Sequence, residues 1–354
     1  MASRLEDHVV VITGASSGIG RLTAARFGAR GARVVLAARD VEALEAAARE
    51  VEAAGGVPLV VGTDVTSFAR VQHLADAAVE RFGRIDTWIN GAAVSAYGTV
   101  ADLDVEDIAG VIDTDLMGQI YGVKAALPVM RSQGTGTIIA ISSGLGARSV
   151  PLQVPYCTAK RAVIGLMEGL RMEEEHAKSG VVLTTVYPSY INTPLFDHAF
   201  SAMGVRPAPI PPVYDPATVA EAILFAATHP RRDVYVGAAA RQLDLLERFS
   251  PALADRLLSL GGQAWRRQQS AEPDAGQSNL NQPLNDPAAA VRGSFGRFAL
   301  RRSAYTQTMG RHPNVARVIG AAGAALLAAR RIRAGWTAPL TRPPSEREPH
   351  DHRT

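Results

Sequence analysis

Tyr156 and Lys160 stand four residues apart in PYCTAK, and Ser143 lies thirteen residues upstream in IAISSG. Four residues is one helical turn, so on a helix the phenol and the ammonium share a face. A fixed positive charge beside a phenol stabilises its phenolate. Such a phenol becomes a usable proton donor and acceptor near neutral pH. Ser143 adds a hydroxyl able to hold a developing oxyanion, with a helix or turn cap as the alternative reading. The pattern Tyr-x-x-x-Lys alone also arises on solvated helix faces, so its meaning depends on what surrounds it.

Upstream, VVVITGASSGIG spans residues 9 to 20, an apolar strand ending at Thr13 and Gly14 and followed by Gly18 and Gly20. Glycines there permit a tight turn and close approach of a phosphate. The start of the next helix offers unpaired N–H groups to that anion. The turn Gly14, Ser16, Ser17, Gly18, Ile19, Gly20 is therefore a candidate dinucleotide cradle.

Apolar strands near 8–13, 33–37, 58–62, 85–90, 136–142, 181–187 and 233–236 alternate with Ala-rich helical stretches. This alternation predicts an α/β fold, a Rossmann-like doubly wound parallel sheet of about seven strands with helices on both faces. Such sheets hold ligands beyond the carboxyl ends of their strands. Thr13, Asp64, Asn90, Ser143 and Pro188 all fall at or just after those ends. No metal-ligand spacing is present, the eight His being scattered.

Taken together, TGASSGIG, Asp64-Val65, INGAA, TDLMG, ISS, YCTAK and YPSYINT occur in the order found in short-chain dehydrogenases/reductases, which the chain resembles from about residue 7 to 238. The resemblance implies a nicotinamide dinucleotide and hydride transfer between it and a carbonyl or secondary alcohol. In that scheme Tyr156 exchanges the proton, Ser143 bonds the substrate oxygen, and Lys160 holds the nicotinamide ribose and lowers the phenol's pKa. Asp64 reads the adenine edge with Val65 packed beside it, and Asn90 belongs to the cofactor-binding set. Pro188, Ile191 and Thr193 flank the nicotinamide carboxamide or the phosphates.

Cofactor choice turns on the end of the second strand, VVLAARD. Ala38 stands where an NAD-specific protein carries an acid for the ribose hydroxyls, and Arg39 follows. An Arg can form charge-assisted bonds to a 2′-phosphate, which favours NADP(H) over NAD(H). As a mere solvated residue at a helix entry, Arg39 leaves the choice open.

Three positions depart from the family pattern. Asp115 in TDLMG replaces the usual Asn, and its negative charge tends to raise the pKa of both Lys160 and Tyr156. Gly91 replaces a second Asn, and Ser189 replaces the Gly after Pro188. Ser143, Tyr156 and Lys160 are all retained, so an active oxidoreductase is expected. The alternative is a catalytically impaired dinucleotide-binding regulatory or scaffolding module.

Leu195 to Pro216 contains five prolines among apolar residues and reads as a lid over an apolar or bulky substrate. Beyond the dehydrogenase domain, 1–240, lies a basic C-terminal extension, 241–354. The extension has 17 Arg, no Lys and 9 acids, whereas the first 240 residues have 20 bases and 25 acids. Its pattern predicts amphipathic helix over 241–268 broken at Pro251 and Gly261, a polar linker or strap over 270–294, and a short apolar helix about 315–333. The apolar run Val318 to Ala329 is too short to span a bilayer, which needs roughly 20 residues. It reads as a packing helix, with peripheral contact to an anionic membrane as the alternative. No motif or aromatic interleaving supports nucleic-acid binding. The single Cys157 forms no intramolecular disulfide and reads as a helix-packing residue. With no signal segment before the first strand, a cytoplasmic setting is expected. Helices around 107–131 and 156–178 are candidate surfaces for a homo-oligomer, as in relatives.

Overall fold

A computed structural model of the chain describes residues 5–284 and 290–308. Seven parallel strands form where the apolar runs predict them: β1 (Val9–Thr13), β2 (Arg33–Ala38), β3 (Val57–Gly62), β4 (Thr87–Asn90), β5 (Gly136–Ile141), β6 (Val181–Pro188) and β7 (Asp233–Val236). Their order is β7-β6-β5-β4-β1-β2-β3, so strand order reverses between β1 and β4. Register across that switch point sets Thr13 opposite Asn90, with their carboxyl ends level. A ligand crevice opens at such a point.

Every residue of β1 and β5 is buried. Successive side chains of a strand point to opposite faces, and here both faces are covered, which is why these runs show no polar alternation. Val10 and Ile12 join Phe27 of α1 (Gly18–Gly28), Leu44 of α2 (Val41–Ala53) and Ile223 of α7 (Pro216–Thr228) in one core. Val11 joins Leu74 of α3 (Phe68–Phe82), Met130 of α5 (Gly118–Gln133) and Val163 of α6 (Val154–Ala177) in the other. Between α4 (Val105–Ile112) and α5 the helix widens into one π-turn, Asp113–Met117.

The basic extension opens with helices. Directly after β7, α8 (Ala238–Phe249) and α9 (Pro251–Ser259) form, the second capped by Ser250, whose side chain accepts from Leu253 N. Arg148 ties both helices to the sheet through Glu247, at 2.6 Å, and Asp255. Gln268, wholly buried, donates to the carbonyls of Pro151 (2.9 Å) and Ala264 (2.7 Å) and accepts from Gln153. It thereby fixes the segment that leads into α6. Gln269–Pro273 then pairs antiparallel with Val205–Pro207, and Arg292 binds Asp215, the N-cap of α7, through Nε at 2.6 Å and Nη2 at 3.2 Å. No helix among the described residues is long and apolar enough to cross a membrane. The expected apolar helix at 315–333 lies outside the described residues.

Replacing Gln268 with Ala strips the Gln153 amide and the Pro151 carbonyl of their buried partner. The expected loss is about 2 kcal/mol, read as a lower urea midpoint with an unchanged slope; an unmoved midpoint would show that the contact carries no stability.

Candidate active site

The turn between β1 and α1 is built by close packing. A Cβ on Gly20 would lie 2.1 Å from the carbonyl oxygen of Gly14, so no side chain fits there. Ser17 caps α1 with extended backbone and makes no side-chain bond to its first turn. Gly14, Ser16, Ser17, Gly18, Ile19 and Gly20 line one end of a cleft of about 570 Å³. Thr13 sits behind this wall, its hydroxyl accepting from Gly91 N (3.1 Å) and Ala92 N (3.4 Å). Asn90 is also behind it, its amide spent on Trp88 Nε1 at 2.8 Å and the Gln119 carbonyl at 3.2 Å.

Ser143, Tyr156 and Lys160 line the same cleft, with the Ser143 hydroxyl bonded to the Tyr156 phenol. Tyr156 and Lys160 lie in the first turns of α6, with the ammonium 5.4 Å from the centre of the phenol ring. Ser143 Oγ accepts from Leu145 N at 3.1 Å and so caps the single turn Gly144–Ala147. A hydroxyl has one donor and two acceptor positions. The cap uses an acceptor, which leaves the proton for Tyr156 or an oxygen bound beside it.

Asp115 stands behind Lys160 rather than in the cleft. The π-turn brings its fully buried carboxylate to 3.1 Å from the lysine Nζ, an ion pair whose ammonium donates its hydrogen bond to the Ile141 carbonyl at 3.3 Å. The other carboxylate oxygen accepts from Val94 N at 2.8 Å. Burial raises the Asp115 pKa, opposed by Lys160 and the Val94 N–H. Tyr156 is held well above the ordinary phenol value, first by burial and then by the Asp115 charge, while the Ser143 hydroxyl pulls the other way. Burial also pushes the Cys157 thiol up to about 11, which keeps it protonated and inert.

Arg39, Asp64 and Val65 also line the cleft, with Asp64 close enough to act on the Arg39 charge. Asp64 Oδ1 accepts from the Thr66 N–H at 3.0 Å and its hydroxyl at 2.8 Å. Arg39 donates to two main-chain carbonyls of the extension, Leu280 at 3.3 Å and Asn279. Pro188, Ile191 and Thr193 line the cleft as well. Thr193 lies 3.4 Å from where a Cβ on Gly18 would stand, which puts it beside the phosphate-type turn.

Apolar side chains close the side next to Tyr156: Leu145 and Val150 from the body, Phe196 and Ile210 from the 195–216 stretch, Leu243 and Leu246 from α8. The last two were legible only as one face of an amphipathic helix, since their spacing does not say what that face covers. Tyr190, half-buried, also lines the cleft, its pKa raised by loss of solvation. Among the described residues there is no group of three metal-ligating side chains.

Residues 8–204 match the family model for short chain dehydrogenase. This chain belongs to the short-chain dehydrogenases. It is 42% identical over 257 residues to the uncharacterised oxidoreductase YxnA of Bacillus subtilis, covering 72% of each chain. The putative oxidoreductase SadH of Mycobacterium tuberculosis is 34% identical, with 73% of this chain and 96% of that one aligned. Among solved structures, a short-chain dehydrogenase/reductase from Burkholderia phymatum in complex with NAD superposes with a TM-score of 0.64 at 29% identity, covering 71% of this chain and 96% of that one. A short chain dehydrogenase from Mycobacterium paratuberculosis bound to NAD gives 0.60 at 26%, covering 68% and 100%. Like these relatives, the protein is an oxidoreductase of the short-chain type.

Two of this dehydrogenase's departures have local causes. A Cβ on Gly91 would lie 2.7 Å from the Thr13 carbonyl oxygen, so the backbone here excludes any side chain. Ser189 Oγ accepts from Ala240 N at 3.0 Å and anchors the first turn of α8. Asp115, the third departure, has an electrostatic consequence. Removing its charge lowers the Tyr156 pKa toward the ordinary phenol value, because a nearby anion opposes phenolate formation. In Asp115→Asn, the alkaline limb of the oxidation rate is expected at lower pH than in the parent, and a pH–rate profile that does not move would refute the coupling.

Proposed function

We propose that the protein is an NADP(H)-dependent oxidoreductase that moves a hydride between the nicotinamide and a carbonyl or secondary alcohol of an apolar or bulky substrate. The observation that carries this reading is the meeting of Ser143, Tyr156 and Lys160 between a glycine-lined turn and an apolar wall. The turn fits a dinucleotide, since a Cβ would fill the space at Gly20 and Ser17 leaves the first turn of α1 without a side-chain cap. When bound, the nicotinamide supplies or accepts the hydride.

The chain's own residues handle the proton. In reduction, Tyr156 Oη gives its proton to the substrate oxygen while the Ser143 hydroxyl donates to that same oxygen. A phenol held above its ordinary pKa stays protonated at neutral pH, which suits this direction. Oxidation needs the phenolate and so gains with alkali. Lys160, paired with Asp115 at 3.1 Å, stabilises that phenolate and bonds the nicotinamide ribose. Ile191 offers its backbone to the carboxamide, and Thr193 stands by the phosphates.

Ala38 places no carboxylate against a 2′-phosphate, and the Arg39 guanidinium offers a fork suited to one. Its present acceptors are neutral carbonyls, which a phosphate outcompetes as a hydrogen-bond partner. Asp64 and Val65 take the adenine. Residues 1–240 act as the dinucleotide-binding domain, and 241–354 as an appendage whose α8 walls the substrate side. We place the enzyme in the cytoplasm as a homo-oligomer meeting through α5 and α6, where Gly165 and Gly169 of α6 have open space above them. The impaired-module reading loses ground because Ser143, Tyr156 and Lys160 are all present and adjacent.

A panel of apolar ketones followed by NADPH absorbance tests the reading. Tyr156→Phe is expected to lose about 10²- to 10⁴-fold in kcat with NADPH binding retained. Binding without turnover across the whole panel would overturn the catalytic assignment. In Arg39→Ala, the Kd for NADPH is expected to rise about 10- to 100-fold with little change for NADH; equal losses for both would remove Arg39 as the selector.

A further inference from the structure

The extension crosses the adenosine end of the cleft as a strap held from both sides. Arg39 donates to the carbonyls of Asn279 and Leu280. Their amides are held too, Asn279 N by the His198 carbonyl at 3.0 Å and Leu280 N by Ser278 Oγ at 3.1 Å. Further along, Gly18 N in the phosphate-type turn donates to the Ala290 carbonyl at 3.2 Å. Leu280 itself is 3% exposed and packs in the cluster that contains Leu145, Val150 and Tyr156. One residue thus gives its carbonyl to Arg39 and its side chain to the cluster packed around Tyr156.

A guanidinium bonded to two neutral carbonyls prefers a dianionic phosphate when one comes within reach, because charge-assisted bonds are roughly twice as strong as neutral ones. We infer that a 2′-phosphate draws Arg39 away from Asn279 and Leu280, and that the released strap withdraws Leu280 from the cluster packed around Tyr156. Asn279 and Leu280 are then specificity-determining: they weigh against the phosphorylated cofactor until it displaces them, and they couple its arrival to the shape of the substrate pocket. A nucleotide without the 2′-phosphate leaves the strap in place. This inference rests on the reading of Arg39 as the 2′-phosphate site.

The test uses the full-length protein with adenosine 2′,5′-bisphosphate and, as control, adenosine 5′-monophosphate, which differ only in the 2′-phosphate. Calorimetry first establishes binding of each, and hydrogen–deuterium exchange then follows peptides covering residues 274–284. With the bisphosphate, the Asn279 and Leu280 amides are expected to exchange at least about tenfold faster, and with the monophosphate to stay as in the free protein. Bisphosphate that binds while these amides stay unchanged or slow down would overturn the strap exchange and leave the Arg39 reading intact. Bisphosphate that does not bind would overturn both. In Arg39→Ala without nucleotide, the same amides are expected to exchange at the fast rate, and parental protection in that variant would also overturn the inference.

Discussion

A buried ion pair organises the centre of this molecule. Lys160 and Asp115 are both removed from water, and either charge alone in that place would cost several kcal/mol. The carboxylate accepts from the Val94 N–H and the ammonium donates to the Ile141 carbonyl, so each charge has a hydrogen-bond partner besides the other. These four groups come from α6, the π-turn, the loop after β4 and the end of β5. The pair therefore locks together the carboxyl ends of the central strands at the level where Tyr156 and Ser143 emerge. The π-turn is part of this arrangement, since Asp115 is one of the five residues that form it. Such turns recur at functional sites.

The pair also shapes the electrostatics of the site. The Asp115 anion paired with the lysine raises the phenol's pKa, and burial acts on the phenol in the same direction as that anion. Proton affinity at Tyr156 is thus set by packing first and charge second. The apolar wall contributes to this setting, because Leu145, Val150 and the face of α8 all help exclude solvent from the same volume.

Much of this was legible in the sequence, and for a physical reason. Strand runs, the glycine turn and Tyr-x-x-x-Lys are encoded in short spacings, which local geometry converts directly into position. The seven strands, the switch-point crevice and the meeting of Ser143 with Tyr156 follow from such local patterns. Contacts between distant segments do not. Ser189 read as a replacement for the Gly after Pro188, yet its hydroxyl accepts from Ala240 N, a partner that no spacing announces. Gly91 read as a lost side chain, whereas the approach of the Thr13 carbonyl leaves no room for one. Asn90 fell at the right strand end but turns its amide into the core. Arg39 signalled an anion, and the sequence held no sign that carbonyls 240 and 241 residues later would meet it.

Gln268 carries a consequence for how the chain is made. The lead-in to the Tyr156 helix is pinned by a side chain 115 residues further along. A ribosome adding about 5–20 residues per second delivers that side chain roughly 6 to 23 s after Gln153. Within that interval β6 and β7 are still being made, so every strand of the sheet precedes the clamp in the chain, and the segment just before Tyr156 lacks that clamp until Gln268 follows. The strands of the nucleotide-type fold are thus all present before the lead-in to the proton relay can be fastened.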